Sequence, residues 1–179
     1  MELYLIRHTS VGVARGTCYG WTDVPVSEHF EAEAEACRRQ LADVRFDRVF
    51  TSPLGRARQL AAFCGYADAV PEPRMKEMNM GDWEMQRFDR IDDPQLQAYY
   101  NNYLDTPTRN GESFRDMYRR VESFLNEVKQ QAGAQGWERV AVFCHGGPII
   151  CALVYAGIVP IEEGYANIPD YASVTVIDL

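Results

Sequence analysis

Short apolar runs, separated by longer amphipathic stretches, set the rhythm of this chain. The run from Glu2 to Ile6 is brief, apolar and rich in β-formers, which predicts a strand ending at Arg7-His8. Glycines, prolines and small residues punctuate the stretch from Ser10 to Ser27, predicting a long irregular loop of the kind that is more often functional than idle. Ser27 is placed to N-cap a helix running to about Ala42, with Phe30, Ala34, Cys37 and Leu41 on its apolar face. Arg48 to Thr51 reads as a second strand, and Pro53 stands at the start of a helix through about Cys64. Val70 to Met85 carries Pro71, Pro73 and Gly81 and reads as a strand edge followed by a loop. Two helical stretches follow, Pro94 to Leu104 and Ser113 to Gln131; the second spaces Phe114, Met117, Val121, Phe124, Leu125 and Val128 at helical intervals. Arg139 to Cys144 is a strongly apolar strand, His145-Gly-Gly-Pro148 leads into a helix from Ile149 to Ala156, and Ser173 to Ile177 forms a last strand.

Strands alternating with helices predict an α/β fold, a three-layer α/β/α sandwich around a mostly parallel central sheet. The 179 residues fit one domain, residues 1–179, and the polar and aromatic piece from about residue 85 to 112 is expected to form a small cap over the sheet's edge.

Composition narrows the functional classes. The chain is 46% hydrophobic and 25% charged with a formal net charge of -8, and no run of lysines and arginines breaks that acidity. Nucleic acid is therefore disfavoured as a partner, and an anionic ligand would need positive charge concentrated inside a pocket. The five cysteines, Cys18, Cys37, Cys64, Cys144 and Cys151, are odd in number and lack a C-x-x-C spacing, so neither a disulfide framework nor a zinc site is expected. No segment approaches the ~18–20 apolar residues of a membrane span, and the N-terminus lacks a signal-peptide pattern. A cytoplasmic protein with no membrane partner is the expectation; oligomeric state is not legible.

The candidate chemistry lies at two strand ends. His8 closes one apolar strand and His145 another, and in an open parallel sheet ligands bind at the carboxyl ends of strands, where both imidazoles could face one pocket. Either histidine alone would read as an ordinary hydrogen-bonded core or loop residue. Gly146 and Gly147 permit close backbone approach, and the free amides of a helix start favour an anion, although Gly-Gly-Pro is also a common way to begin a helix. Arg7 adjoins His8, and Arg56 sits in the first turn of a helix, where a cation opposes the macrodipole unless an anion or carboxylate compensates it. Guanidinium forks match phosphate oxygens, whereas the plain alternative for Arg56 is a surface ion pair.

Leu5-Ile-Arg-His8, Thr51-Ser-Pro-Leu-Gly-Arg56, Glu77 with Gly81-Asp-Trp-Glu84, Gly111-Glu-Ser113 and His145-Gly-Gly147 occur in that order. Together they resemble the histidine phosphatase, or phosphoglycerate mutase-like, superfamily over nearly the whole chain. The resemblance implies that His8 is the nucleophile and forms a phosphohistidine, that Arg7, Arg56 and His145 hold the phosphoryl oxygens, and that Glu77 protonates the leaving alkoxide, with Glu84 as competitor and Asp82 third. Phosphoryl transfer needs positioning and charge neutralisation, which two guanidiniums and a protonated His145 can supply without a metal or cofactor. His8 must stay neutral to attack, and an acceptor on its other ring nitrogen would fix the tautomer.

Thr9 stands where the family commonly has glycine, and Cys144 where it often has serine or threonine; Cys144 reads as a small buried replacement. The family's asparagine after the nucleophile has no counterpart among Val13, Ala14 and Arg15, which leaves Ser10 or Arg15 as substitutes. Tyr19-Gly-Trp-Thr-Asp-Val-Pro-Val-Ser27 is similar to the family's substrate loop, implying that Gly20 and Trp21, with Gly146, contact substrate. The short interval between Glu84 and Gly111 favours an open site and hydrolysis over a mutase. Cys18-Tyr-Gly-Trp-Thr-Asp-Val-Pro25, Gly81-Asp-Trp-Glu-Met-Gln86 and Asn110-Gly-Glu-Ser113 further resemble the α-ribazole phosphatases of the cobalamin pathway, implying a small-molecule phosphomonoester substrate, α-ribazole 5′-phosphate. Tyr19, Trp21, Tyr99, Tyr100 and Tyr103 could stack on its base, with packing the expected role for at least three of them. A broader sugar-phosphate or fructose-bisphosphate phosphatase is the alternative; a phosphoglycerate mutase, or a phosphohistidine-protein phosphatase or binding module, fits less well.

Overall fold

The computed structural model describes residues 1–179. Its strands are β1 (Glu2–Arg7), β2 (Arg48–Thr51), β3 (Val70–Pro71), β4 (Arg139–Cys144) and β5 (Val174–Asp178), in the order β3-β2-β4-β1-β5. The first four run parallel, and β5 pairs antiparallel with β1 at the edge. Five α-helices alternate with them: α1 (Phe30–Leu41), α2 (Gly55–Phe63), α3 (Gln95–Asn101), α4 (Phe114–Gln135) and α5 (Gly146–Tyr155).

The apolar runs form central strands because both faces of the sheet are covered. Leu3 and Leu5 of β1 and Val140, Val142 and Cys144 of β4 pack with α4 and α5 through Met117, Val121, Phe124, Leu125, Ile149 and Ile150. The intervening Ile6, Ala141 and Phe143 face the other way, into a smaller core with Ala34, Cys37 and Leu41 of α1 and Leu60 and Ala61 of α2. The period of two along each strand thus separates two cores, and β4, apolar on both faces, lies in the middle of the sheet.

Several boundaries shift for identifiable reasons. Ser27 does not cap α1: its hydroxyl accepts from the His29 amide at 3.1 Å and bonds Ser10 Oγ at 2.6 Å, so it shapes a turn and the helix opens later, at Phe30. Ser113 is the N-cap of α4, in a full capping box with Asp116. That helix runs past Gln131 to Gln135 and stops at Gly136, whose φ of 71° is readily adopted only without a side chain. The segment read as a helix from Pro94 to Leu104 is helical only over Gln95–Asn101, while α5 begins earlier than Ile149, at Gly146. α2 starts after Pro53, at Gly55, whose amide donates to Asp23 Oδ1 at 2.8 Å from the distant loop.

Arg120 on α4 fixes the segment that leads from β3 toward the sheet's carboxyl edge. Its guanidinium donates to the carbonyls of Arg74 (2.6 Å), Lys76 (2.7 Å) and Glu77 (2.8 Å) and pairs with Glu112 at 2.8 Å. Four acceptors on one mostly covered cation make it the local keystone. Arg120→Leu is expected to lower unfolding free energy by about 3–5 kcal/mol, since it leaves the Arg74 and Lys76 carbonyls without a donor and Glu112 without its counter-ion. Urea titration checks this; a change under about 1 kcal/mol would show that water replaces the cation without loss.

Candidate active site

β1 and β4 run side by side in parallel, so their last residues deliver His8 and His145 to the same edge. The His8 amide donates to the Cys144 carbonyl at 3.0 Å, and the two imidazole centroids lie 5.1 Å apart at 61°. His8 is 2% exposed. Its Nδ1 lies 2.6 Å from the Thr9 carbonyl, which can only accept, so Nδ1 carries the proton and Nε2 keeps its lone pair. Burial first, then the nearby Arg56 and Arg7 charges, push its pKa down to about 3 against the opposing Thr9 hydrogen bond. His8 is a neutral imidazole of defined tautomer.

His145 is the N-cap residue of α5 and is completely buried. Its Nε2 meets Ser52 Oγ at 2.7 Å, while its Nδ1 has no partner. Ser52 Oγ accepts the Leu54 amide, at 3.4 Å, and its hydrogen is free to point at Nε2, which places the His145 proton on Nδ1. Burial first, then the Arg56 charge, holds this imidazole well below its ordinary range. The expectation of a protonated His145 is therefore corrected for the free site: it offers one neutral N–H, because burial and the Arg56, Arg120 and Arg7 guanidiniums already oppose a further cation.

Arg56, at the start of α2, is wholly buried and has no carboxylate partner. Its two terminal nitrogens donate to the carbonyls of Thr22 (3.0 Å) and Gly20 (2.7 Å), which rules out the surface ion pair. Arg7 donates to the Pro169 carbonyl at 2.5 Å. Four buried side-chain polar atoms lack a partner: Arg7 Nε, Arg56 Nε, His145 Nδ1 and Thr9 Oγ1. Three of them belong to the residues expected to hold a phosphoryl group. Unpartnered buried donors are costly, and one anion of phosphate size would satisfy a cluster of them together. Gly146 sits against this group; a Cβ there would lie 3.5 Å from Arg7 Nε.

The two glutamates have opposite settings. Glu77 lines the cavity beside His8, its carboxylate accepting from the amides of Met78 (2.9 Å) and Gly147 (3.2 Å). Glu84 lies outside the cavity lining and accepts from the amides of Trp21, Thr22 and Met80 and from the Thr22 hydroxyl. Burial raises the Glu84 carboxyl, but these hydrogen bonds outweigh it and hold it below the usual carboxylate range. Glu84 pins the loop that feeds carbonyls to Arg56. Asp82 is tied to Asn110 at 2.8 Å and also lies outside the cavity.

Gly20 and Trp21 do not contact the cavity. Gly20 is buried against the Met78 carbonyl, which a Cβ would strike, and it acts through its own carbonyl on Arg56. The Trp21 indole donates to the Glu77 carbonyl at 2.7 Å and lies under the Lys76 ammonium. Neither Ser10 nor Arg15 lines the cavity: Ser10 is bound to Glu33 and Ser27, and Arg15 is exposed. The unpartnered Thr9 Oγ1 is the polar atom on that side instead. Cys144 is buried and its thiol is pushed well up by burial, as expected of a packing residue.

Next to the polar group opens a cavity of about 440 Å³. Tyr19, Tyr99, Tyr100 and Tyr103 line it, joined by Met78, Met80, Phe88, Tyr165 and Ile168. Tyr99 and Tyr103 also pack on Trp83 and Phe114, so packing and lining are combined in the same rings. Ser52, Tyr165, Ile168 and Tyr171 join the site without having stood out along the chain; only Ser52 carries a signal there, its place inside Thr51-Ser-Pro53.

Residues 3–179 match the histidine phosphatase superfamily, branch 1. The adenosylcobalamin/alpha-ribazole phosphatase of Salmonella typhimurium is 33% identical over 136 residues, spanning 72% of this chain and 67% of that protein. Among solved structures, the alpha-ribazole phosphatase from Shigella flexneri superposes with a TM-score of 0.89 at 26% identity, over 100% of this chain and 91% of that one. A phosphoglycerate mutase from Thermus thermophilus superposes with a TM-score of 0.77 at 27% identity, over 99% and 93% of the two chains. The α/β architecture is thus phosphoglycerate mutase-like, and the chain belongs to the histidine phosphatase superfamily, branch 1, as a phosphatase.

Proposed function

We propose that the protein hydrolyses a phosphomonoester through a phosphohistidine on His8, and that its substrate is α-ribazole 5′-phosphate of cobalamin biosynthesis. The observation that carries the chemistry is the set of unpartnered buried nitrogens, Arg7 Nε, Arg56 Nε and His145 Nδ1, on residues near a neutral His8. In the first step the His8 Nε2 lone pair attacks phosphorus and the P–O ester bond breaks. Glu77, in its acid form, gives its proton to the departing alkoxide. The three donors neutralise the equatorial oxygens. In the second step Glu77 takes a proton from water, the hydroxide oxygen bonds phosphorus and the P–N bond breaks. Inorganic phosphate leaves, and His8 and Glu77 regain their starting states.

The substrate assignment rests on the cavity wall and on the two relatives. Tyr19, Tyr99, Tyr100 and Tyr103 with Met78 and Met80 suit a flat apolar base, whereas a sugar phosphate would find few polar partners there. Residues of about 85–112 then serve as a small cap, through Phe88, Tyr99, Tyr100 and Tyr103. Five unpaired cysteines are in keeping with a reducing cytoplasm.

Three outcomes are expected. Assayed in EDTA against α-ribazole phosphate, sugar phosphates and phosphoglycerates, the protein should retain full activity and favour the first by about 100-fold or more in kcat/KM, with acid-quenched phosphate trapped on His8. Equal rates on all substrates would remove the substrate assignment, and wild-type turnover by His8→Ala the nucleophile. Glu77→Gln should lower kcat on alkyl phosphates by about 10²–10⁴-fold but much less on p-nitrophenyl phosphate, whose leaving group needs no proton. Glu84→Gln should affect both alike; the reverse pattern would exchange the two roles.

The third outcome concerns pH. His8 has its folded pKa near 3, below the ordinary 6.5, so the unfolded chain binds the extra proton between those values. Stability contributed by the neutral ring is therefore present above pH 6.5 and lost as pH falls toward 3, by at most about 1.4 kcal/mol per pH unit for one site. His8→Asn should flatten the acid side of a plot of unfolding free energy against pH, and a His8 ring, assigned by its loss in that variant, that charges near pH 6 in the NMR spectrum would contradict this.

A further inference from the structure

We propose that Tyr19 and Tyr171 form a clasp that positions the two phosphate-site guanidiniums, a role that rests on the phosphatase reading above. Their hydroxyls meet at 2.9 Å across a separation of 152 residues. The Tyr171 ring lies over the Arg7 guanidinium, 4.0 Å from centroid to Cζ, and the Tyr19 ring faces Arg56 at 5.3 Å. One hydroxyl-to-hydroxyl bond thus ties together the aromatic partners of both cations.

The backbone on each side is committed to this placement. Ala172 adopts a φ of 55°, which a side chain rarely takes, and donates its amide to the His8 carbonyl at 3.1 Å. The Arg7 amide donates to the Ser173 carbonyl at 3.1 Å, so the turn carrying Tyr171 is locked to the end of β1. Tyr19 stands between Cys18, whose amide and carbonyl bond Gln86 and Met85, and Gly20, whose carbonyl holds Arg56. Tyr171 is also 5.6 Å from the His8 ring.

A guanidinium binds oxygen in its plane and an aromatic ring on its face, so stacking does not consume the donors phosphate needs. Backbone carbonyls already take terminal N–H groups of both arginines, and both Nε atoms stay free. A ring on the face and a carbonyl at the far edge leave each cation little freedom except to present Nε. Burial and the bond to Tyr171 both raise the Tyr19 phenol, which keeps the clasp protonated at working pH. Tyr19 and Tyr171 are positioning residues, acting through the arginines.

The test is a double-mutant cycle read by inhibition with inorganic phosphate and orthovanadate, alongside kcat, KM and Tm. Tyr19→Phe and Tyr171→Phe keep both rings and delete the same bond. Each should weaken both anions by about 3–10-fold, with the double variant no weaker than either single one, since only one interaction is lost. Tyr171→Leu, which also removes the ring, should weaken them by a further factor of about 3–10 that Tyr171→Phe spares. Unchanged anion inhibition with a lowered Tm, or losses that multiply in the double variant, would overturn the clasp. A wild-type protein that neither binds orthophosphate nor hydrolyses any monoester would instead overturn the phosphatase reading.

Discussion

A fully buried guanidinium without a carboxylate partner is the constraint around which this molecule is arranged. Taking Arg56 out of water is expensive, and a direct ion pair would cancel the charge that an anionic substrate needs. The structure resolves the conflict with dipoles in place of charges: the Gly20 and Thr22 carbonyls receive the terminal nitrogens. That solution dictates the path of the long loop after β1. Glu84 anchors Trp21 and Thr22, Asp23 caps α2, and Gly20 must be glycine for its carbonyl to come close. Acidic groups stand near enough to favour the cation, Glu77 foremost, without neutralising it by contact.

The same economy separates residues of one type by environment. Two histidines sit 5.1 Å apart and share the Nδ1–H tautomer, but opposite ring nitrogens are occupied: a carbonyl holds Nδ1 of His8, and a hydroxyl holds Nε2 of His145. A lone pair is thereby left on His8 Nε2 and an N–H on His145 Nδ1, as the proposed attack and oxyanion stabilisation would require. Two glutamates divide likewise. Glu84 is saturated with donors and holds structure; Glu77 keeps contact with the cavity and with the end of α5.

Much of this is legible in the chain because it is local. β1 and β4 are continuous apolar runs, and their parallel pairing follows from the α/β alternation, so the sequence pattern alone brings His8 and His145 to one edge. Arg56 announces itself by standing where a helix dipole disfavours it. The remainder depends on contacts between segments far apart. Ser52 meets His145 across 93 residues, and Tyr171 meets Tyr19 across 152, neither of which periodicity or composition can register. Trp21 lies outside the cavity lining for the same reason: its partner, the Glu77 carbonyl, is 56 residues away. The neutrality of His145 is hidden in the sequence because burial, the largest influence on it, is a property of the folded chain.

Placing an apolar cavity beside the charged group has a consequence for both binding and chemistry. Tyrosines and methionines supply the wall, so a bound base would displace water from the space adjoining Arg7, His8 and Glu77. Coulombic attraction between guanidinium and phosphoryl oxygen strengthens as the local dielectric falls, so an apolar wall would intensify the field on a phosphoryl group bound beside it. An acidic surface around a cationic interior works in the same direction. The net charge of -8 disfavours anions at long range, while Arg7, Arg56 and His145 keep unpartnered nitrogens inside the protein. In the proposed reaction, the part of the substrate that meets this apolar wall supplies binding energy for placing the phosphoryl group at His8.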